Sequence, residues 1–521
     1  MKQTLTALAL TCLAGSVAAQ DLVMSEIGSS FGFFGTFETT AAYTFAFTTC
    51  NLGDVPIEWT GMTAQHPVSG QNLYRIQGGR IEQLGYSWPK HGFCAVNEAS
   101  CGTCIPTSCS TLGVGCASTN SGSITDGQGG GAKSDLDATT GFHTHPFTPP
   151  SQGNGVIRGR LQVEVADLAI PGAVYLAEVL TLAQDDQLAG NARNNASWRE
   201  VTVAPNLAIN AGGNPTIVGE PAILAWPVYE PSAVVNEVVN YHEGGANVHG
   251  YYFLGFRVEQ LDASHWRYEY ALYNMNSDRA AASFAIPIPC AQVEITDRFY
   301  RDVDPHSGEI WSGDDWALDT SGGFLRWHST ETFAMNVNAG VIRWGTMSSF
   351  GFTGDRPPAD AQAEIGLFVP GTPSTLYSTV SGPCATPICG AENYCVTAPS
   401  SAGPGAVIGY DGSPSLTAND FSLTAQGAIP FQFGLFFFGS TAAQVPFGDG
   451  FLCIGTVTAR INPPLLASSE GSYERPLDFT QPPLDVVTAG STHFFQLWYR
   501  DPQAGGSGFN LSDGLAATFC P

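Results

Sequence analysis

Two histidines spaced two apart, His143 and His145, would present both imidazoles on one face if their segment were a strand, a spacing from which one copper or zinc ion could be held. Such an ion needs a third and usually a fourth ligand, and His66, His91, His242 and His249 are the candidates. The same pair also reads as two polar aromatics flanking the proline-rich run Pro146-Phe147-Thr148-Pro149-Pro150. A second constellation is acidic: Asp302 and Asp304, then Asp314 and Asp315, bracketed by Trp311 and Trp316. Oxygen ligands in a loop suit calcium. The spacing is not that of an EF-hand, and the Asp residues with Gly308 and Gly313 serve equally as turn formers. Cys101-Gly102-Thr103-Cys104, with Cys94, Cys109 and Cys116 close by, has the density of a zinc cluster or of a disulfide knot.

Motifs for other chemistries are missing. No Gly-x-Ser-x-Gly in the strand-turn-helix context of a nucleophile elbow occurs, since the stretch around Gly28-Ser29-Ser30 lacks that context, and Gly127 to Gly131 lacks the Lys-Ser/Thr of a phosphate loop. Glycoside hydrolysis needs a carboxylate pair, and no local pattern selects one among 46 Asp and Glu. Tyr251, Trp266, Tyr268, Tyr270 and Trp498 would stack on sugar rings if exposed, although strand alternation directs at least half of them inward.

The elements that must position these groups start with an export signal. Lys2, the apolar run Leu5 to Ala14 and Val17-Ala18-Ala19 read as a secretory signal peptide over residues 1–19. Setting aside Cys12 within it leaves twelve cysteines bound for an oxidising compartment, where disulfides outcompete zinc thiolates. Cys50 and the five cysteines from Cys94 to Cys116 make an even set with fifteen possible pairings. A net charge of −26 repels phosphate backbones and anionic headgroups, which excludes nucleic acid. No later stretch approaches the roughly 20 apolar residues of a membrane span, so membrane insertion is not expected.

Only 13% of residues are charged, against 60 Gly and 34 Pro, a balance that favours strands and turns over solvent-facing helices. Alternation is clearest from Tyr251 to Tyr273. Tyr252, Leu254, Phe256 and Val258 share one face, Asp262-Ala263-Ser264 turns the chain, and Trp266, Tyr268, Tyr270 and Leu272 share a face again: a hairpin with one buried side. Further strands are expected at 282–288, 293–300, 340–346, 363–369, 421–425, 431–438, 451–459 and 493–499, a strand near 179–182, and a helical turn near 184–189. Residues 108–150 read as a long exposed loop pinned by cysteines. The expected fold is all-β, with multiple antiparallel β-sandwich domains and a disulfide-rich N-terminal loop region. The expected division is 20–200, 201–385 and 386–521, with the first two able to form one unit.

Three stretches carry a resemblance: Gln65-His66-Pro67-Val68 and Gln71 to Arg75 leading into Gly79 to Phe93; Tyr268-Glu269-Tyr270 continuing to Asn274-Met275-Asn276-Ser277-Asp278-Arg279; and Trp498-Tyr499-Arg500-Asp501. Together these resemble large secreted bacterial proteins with no assigned activity, whose C-terminal module also looks like one attached to other extracellular proteins. The resemblance implies a modular exported protein and no site residues. The sequence thus points to a secreted or cell-surface, non-catalytic protein for adhesion, matrix structure or glycan binding, with polysaccharide or extracellular matrix as partner. The alternative is an extracellular metal-dependent enzyme acting on a polysaccharide, with His143 and His145 as ligands and the C-terminal module for targeting.

Overall fold

A computed structural model describes residues 19–90, 94–122, 130–147, 154–245, 248–290, 293–384, 389–504 and 506–520. Its strands pair antiparallel throughout, and the chain is all-β with several sheets. The N-terminal part is a ten-stranded arrangement whose central path runs from Arg80–Tyr86 through Val68–Gln77, Val174–Leu182 and Ala196–Val203 to Leu22–Phe37 and Thr40–Asn51. It folds over itself, so that Met24, Tyr43 and Phe45 meet Leu73, Tyr175 and Val179 in one core.

The middle part is a sandwich of two five-stranded sheets. One is ordered Val234–Gly245, Val248–Gln260, Trp266–Asn274, Thr346–Gly354, Ile295–Arg301; the other is Ala317–Asp319, Phe324–His328, Ala281–Pro287, Ala359–Leu367, Thr375–Gly382. Tyr252, Leu254, Tyr268, Tyr270 and Leu272 fill the space between them, with Phe284, Trp327 and Ile365 opposite. The hairpin therefore forms where alternation puts it, but it is buried on both sides rather than one. Phe253, Ala271 and Tyr273 on its other face join Leu176, Leu180, Trp198 and Trp226 in a second core. The reason is the N-terminal sheet lying across it, where Arg80 clamps Glu269 through two 2.7 Å hydrogen bonds.

Two other expectations need correction. Of the expected strand 340–346, residues 340–345 are bend, bridge and turn, and the strand is Thr346–Gly354. The segment 108–150 is not simply an exposed loop, because its described stretch 130–147 is wedged between the N-terminal and middle sheets. Lys133, Ala138 and His143 are buried there, and Glu309 accepts from the Lys133 and Ser134 amides at 2.5 and 3.2 Å. Burial lowers the Lys133 ammonium to about 7, while Glu309 acts in the opposite direction. The ammonium donates to the Gly345 carbonyl at 3.0 Å and lies over the Tyr86 ring. The short helix Gln184–Ala189 forms as expected and ends on Gly190 in the left-handed conformation.

The C-terminal part stacks a five-stranded sheet, ordered Gly390–Tyr394, Phe509–Thr518, Thr492–Arg500, Phe433–Phe447, Gly450–Leu466, on the three strands Val407–Asp411, Ser422–Gln426 and Tyr473–Pro476. Phe421, Phe436, Phe438, Phe495, Tyr499 and Phe519 pack between them. The described cysteines form six disulfides, the chemistry of an oxidising compartment: Cys50–Cys101, Cys94–Cys109, Cys104–Cys116, Cys290–Cys384, Cys389–Cys520 and Cys395–Cys453. No described helix is long and apolar enough to cross a membrane.

Candidate binding cleft between the middle and C-terminal parts

The outer face of the second middle sheet carries a polar row set by strand alternation. In Phe324–His328, Leu325 and Trp327 point into the core, which turns Phe324 and Arg326 outward. Register then places Arg326 opposite Ala285, Ala285 opposite Glu364, and Glu364 opposite Tyr377, one line across four strands. Ala285 is small enough for Arg326 to reach over it and donate to Glu364 at 2.9 Å. Burial raises the Glu364 carboxyl above its usual range, with Arg326 pulling the other way. The guanidinium also lies 5.4 Å from the Phe324 ring centre.

The C-terminal part supplies the facing wall, with Ser415, Thr417, Ala418, Phe519 and the Cys389–Cys520 bridge, and the cleft so enclosed has a volume of about 550 Å³. Gln362 stitches the two walls at the base. Its amide donates to the Cys389 carbonyl, and its oxygen accepts from the Cys389 amide at 3.1 Å. The far wall is held by Leu416 and Cys520, whose amides donate to the Cys520 and Pro414 carbonyls at 2.9 and 3.0 Å. The result is a guanidinium, a carboxylate, several hydroxyls and an aromatic ring within a cleft of ligand size. Glu364 is the one carboxylate among the described lining residues, whereas glycoside hydrolysis uses two.

The residues singled out from sequence lie elsewhere. His143 is buried on a segment that makes a single bridge with Leu136 rather than a strand, so the same-face premise for His143 and His145 does not hold. Its ring nitrogens face the Thr144 and His66 carbonyls at 3.2 and 3.1 Å, and its ring stacks on Phe147. His66 is buried against Trp59, with Nδ1 2.6 Å from the Pro67 carbonyl. His145 is half-buried, His249 packs on Tyr241, and His91 and the side chain of His242 lie outside the described residues. Asp302 is largely enclosed and accepts from the Tyr300 hydroxyl at 3.1 Å. Burial pushes its carboxyl up to about 6, with Asp315 and Asp304 adding to the rise. Asp304, Asp314 and Asp315 are exposed. Among the described residues, no three His, Cys, Asp or Glu side chains come together as a metal site.

No protein-family profile matches the chain, and no curated protein does. Among solved structures, the chain is similar to the full-length major pilin SpaD from Corynebacterium diphtheriae, at 8% identity over 87% of this chain and 86% of that one, with a TM-score of 0.17. The B domain of a biofilm-associated protein gives 8% identity over 69% of this chain and 86% of that one, with a TM-score of 0.11. At TM-scores this low, neither likeness bears on fold or function.

Of the expected sugar-stacking aromatics, Tyr268 and Tyr270 are fully buried and spend their hydroxyls on the Arg356 and Ser381 carbonyls at 2.8 and 2.7 Å. Trp498 is half-buried on the C-terminal module. Sequence reasoning missed Arg326, Glu364, Tyr377 and Phe324. Their only local signal is the alternation in Phe324–His328 and Thr375–Gly382, and their convergence requires the pairing of strands up to about eighty residues apart.

Proposed function

We propose that this is an exported, non-catalytic protein of the adhesion or matrix kind that holds a neutral saccharide unit of an extracellular polysaccharide in the cleft. The observation that carries the reading is the Arg326–Glu364–Tyr377 row beside Phe324. A carboxylate accepts from vicinal hydroxyls, a guanidinium donates to ring and hydroxyl oxygens, and an aromatic face covers the apolar side of a pyranose. Pairing Arg326 with Glu364 leaves the row neutral overall, which matches an uncharged ligand and avoids the repulsion that a chain of net charge −26 exerts on anionic polymers. The module 386–521 contributes a wall rather than a separate targeting unit.

The test is affinity electrophoresis and calorimetry against a panel of neutral polysaccharides and their oligosaccharides, together with a reducing-end assay. Expected are saturable binding of at least one neutral glycan, no turnover, and a loss of about tenfold or more in Glu364→Gln and Arg326→Met, from hydrogen bonds to charged groups. Glycan binding unchanged in both variants would refute the site, and release of reducing ends would refute the non-catalytic reading.

A further inference from the structure

The hairpin of Phe433–Phe447 and Gly450–Leu466 does not lie flat in its sheet. Its register shifts at five places between Gly434 and Val445, and such bulges bend a strand. The bend carries the hairpin tip back over the outer face of its own sheet. Gln496 stands on that face opposite Phe437, and yet it donates to the Phe451 carbonyl at 2.8 Å and accepts from the Cys453 amide at 3.0 Å, both near the tip. Three further ties hold the fold-back: the Cys395–Cys453 bridge, the Tyr394 hydroxyl donating to the Cys453 carbonyl at 2.6 Å, and the Ser507 amide donating to Asp449 at 2.9 Å. Phe447 thereby meets Phe509 with ring centres 5.5 Å apart.

Between sheet and arch runs a groove of about 470 Å³. Leu435, Phe437, Trp498 and Leu511 form its floor, and Phe447, Leu452 and Val457 line it from the arch. Arg460, opposite Phe437 on the edge strand, is the only charged residue among the described residues that line it. Arg460 is exposed and makes no ion pair among the described residues. A sugar would find only the Arg460 guanidinium and the Trp498 indole N–H as hydrogen-bonding side-chain groups here, both donors, and its remaining hydroxyls would face hydrocarbon at a cost. An alkyl chain loses nothing there and gains by burial. One unneutralised guanidinium at the edge of an apolar groove is complementary to a single anionic head.

We propose that this groove is a binding site for a soluble single-chain amphiphile with a carboxylate head, its tail under the arch and its head on Arg460. The site is separate from the saccharide cleft and does not depend on it.

The test is calorimetry on the full chain below micellar concentrations with dodecanoate, butyrate and dodecyl maltoside. Dodecanoate is expected to bind at one equivalent, butyrate not to bind, and dodecyl maltoside to bind about tenfold more weakly or worse. Arg460→Met should weaken dodecanoate about tenfold and leave the maltoside within about twofold. Leu435→Glu, on the half-exposed floor, should abolish dodecanoate binding, with an unchanged thermal midpoint confirming the fold. Absence of dodecanoate binding, equal affinity for the neutral amphiphile, or indifference to both variants would overturn the proposal. So would capture of phosphatidylglycerol vesicles without uptake of free dodecanoate, which would assign the groove to a lipid surface.

Discussion

Replacing Asp186 by Asn should stabilise the protein in mild alkali and leave it nearly unchanged in acid. Asp186 is fully buried in the short helix Gln184–Ala189, accepts from the Leu22 amide at 2.7 Å and from Asn195 Nδ2 at 2.6 Å, and has no cation among its partners. Burial pushes its carboxyl from 3.8 up to about 7, against the pull of those two hydrogen bonds. Each tenfold change in proton affinity is worth about 1.4 kcal/mol, so ionising this group in the folded state costs about 4 kcal/mol. Because the folded-state value is raised, the contribution is fully present below 3.8, falls as pH rises, and is lost once pH passes about 7. An amide has no charge to desolvate. The variant keeps the Leu22 contact through Oδ1, and its new Nδ2 can donate to Asn195 Oδ1, which is buried without a partner, once the Asn195 amide turns over. Asp186→Asn should therefore exceed the wild type by about 2–4 kcal/mol at pH 8 and match it within about 1 kcal/mol at pH 4. A chain with several cores does not unfold in one step. The readout is accordingly hydrogen exchange in a urea series, followed on peptides spanning 19–30 and 184–200 at pH 4, 6 and 8. A variant no more stable than wild type at pH 8, or one whose advantage does not grow with pH, would refute the reasoning.

Gly85→Ala should destabilise by more than about 3 kcal/mol or block secretion, because a methyl there would stand 1.7 Å from the Gln162 carbonyl oxygen, a backbone atom that cannot step aside; expression yield and thermal midpoint test it. Glu178→Gln should cost about 1–3 kcal/mol by thermal or urea unfolding: Glu178 accepts from Asn72, Tyr74, Tyr273 and the Ala222 amide, and the new amide group would set a donor against one of these donors. Cys389→Ser with Cys520→Ser should lower the unfolding midpoint of the C-terminal module by an amount corresponding to about 2–5 kcal/mol, since the bridge closes a loop of 131 residues; calorimetric scans of both proteins measure it.

How far the sequence reaches is clearest in the middle sandwich. Alternation fixed the inward face of the Val248–Gln260 and Trp266–Asn274 hairpin residue by residue, since Tyr252, Leu254, Tyr268, Tyr270 and Leu272 all lie in the core. It said nothing of a second layer on the other face, because burial of Phe253 and Tyr273 depends on the N-terminal sheet arriving there. Thr346–Gly354 went unseen for a related reason. Its Ser349 and Gly351 weaken a strand signal, but sheets this close need small residues: Ser349 donates to the Ile81 carbonyl at 2.6 Å, and a side chain at Gly351 would stand 2.6 Å from Glu269. Disulfide chemistry was legible from compartment and count, and the pairing was not. The cleft was illegible, because Arg326, Glu364 and Tyr377 have no shared spacing and meet only through register across four strands. The histidine pair shows the reverse case: a suggestive spacing in which both ring nitrogens of His143 face backbone carbonyls.

The bridge from Cys389 to Cys520 has a mechanical consequence. It joins the residue just before the first strand of the C-terminal part to the second residue after its last strand, so tension applied at Cys520 passes through sulphur straight to Cys389. The 131-residue interval between them lies outside the line of force, and both the cleft wall and the arched groove would keep their shape while the chain is pulled. The bridge thus separates the shape of these two surfaces from the tension carried along the backbone.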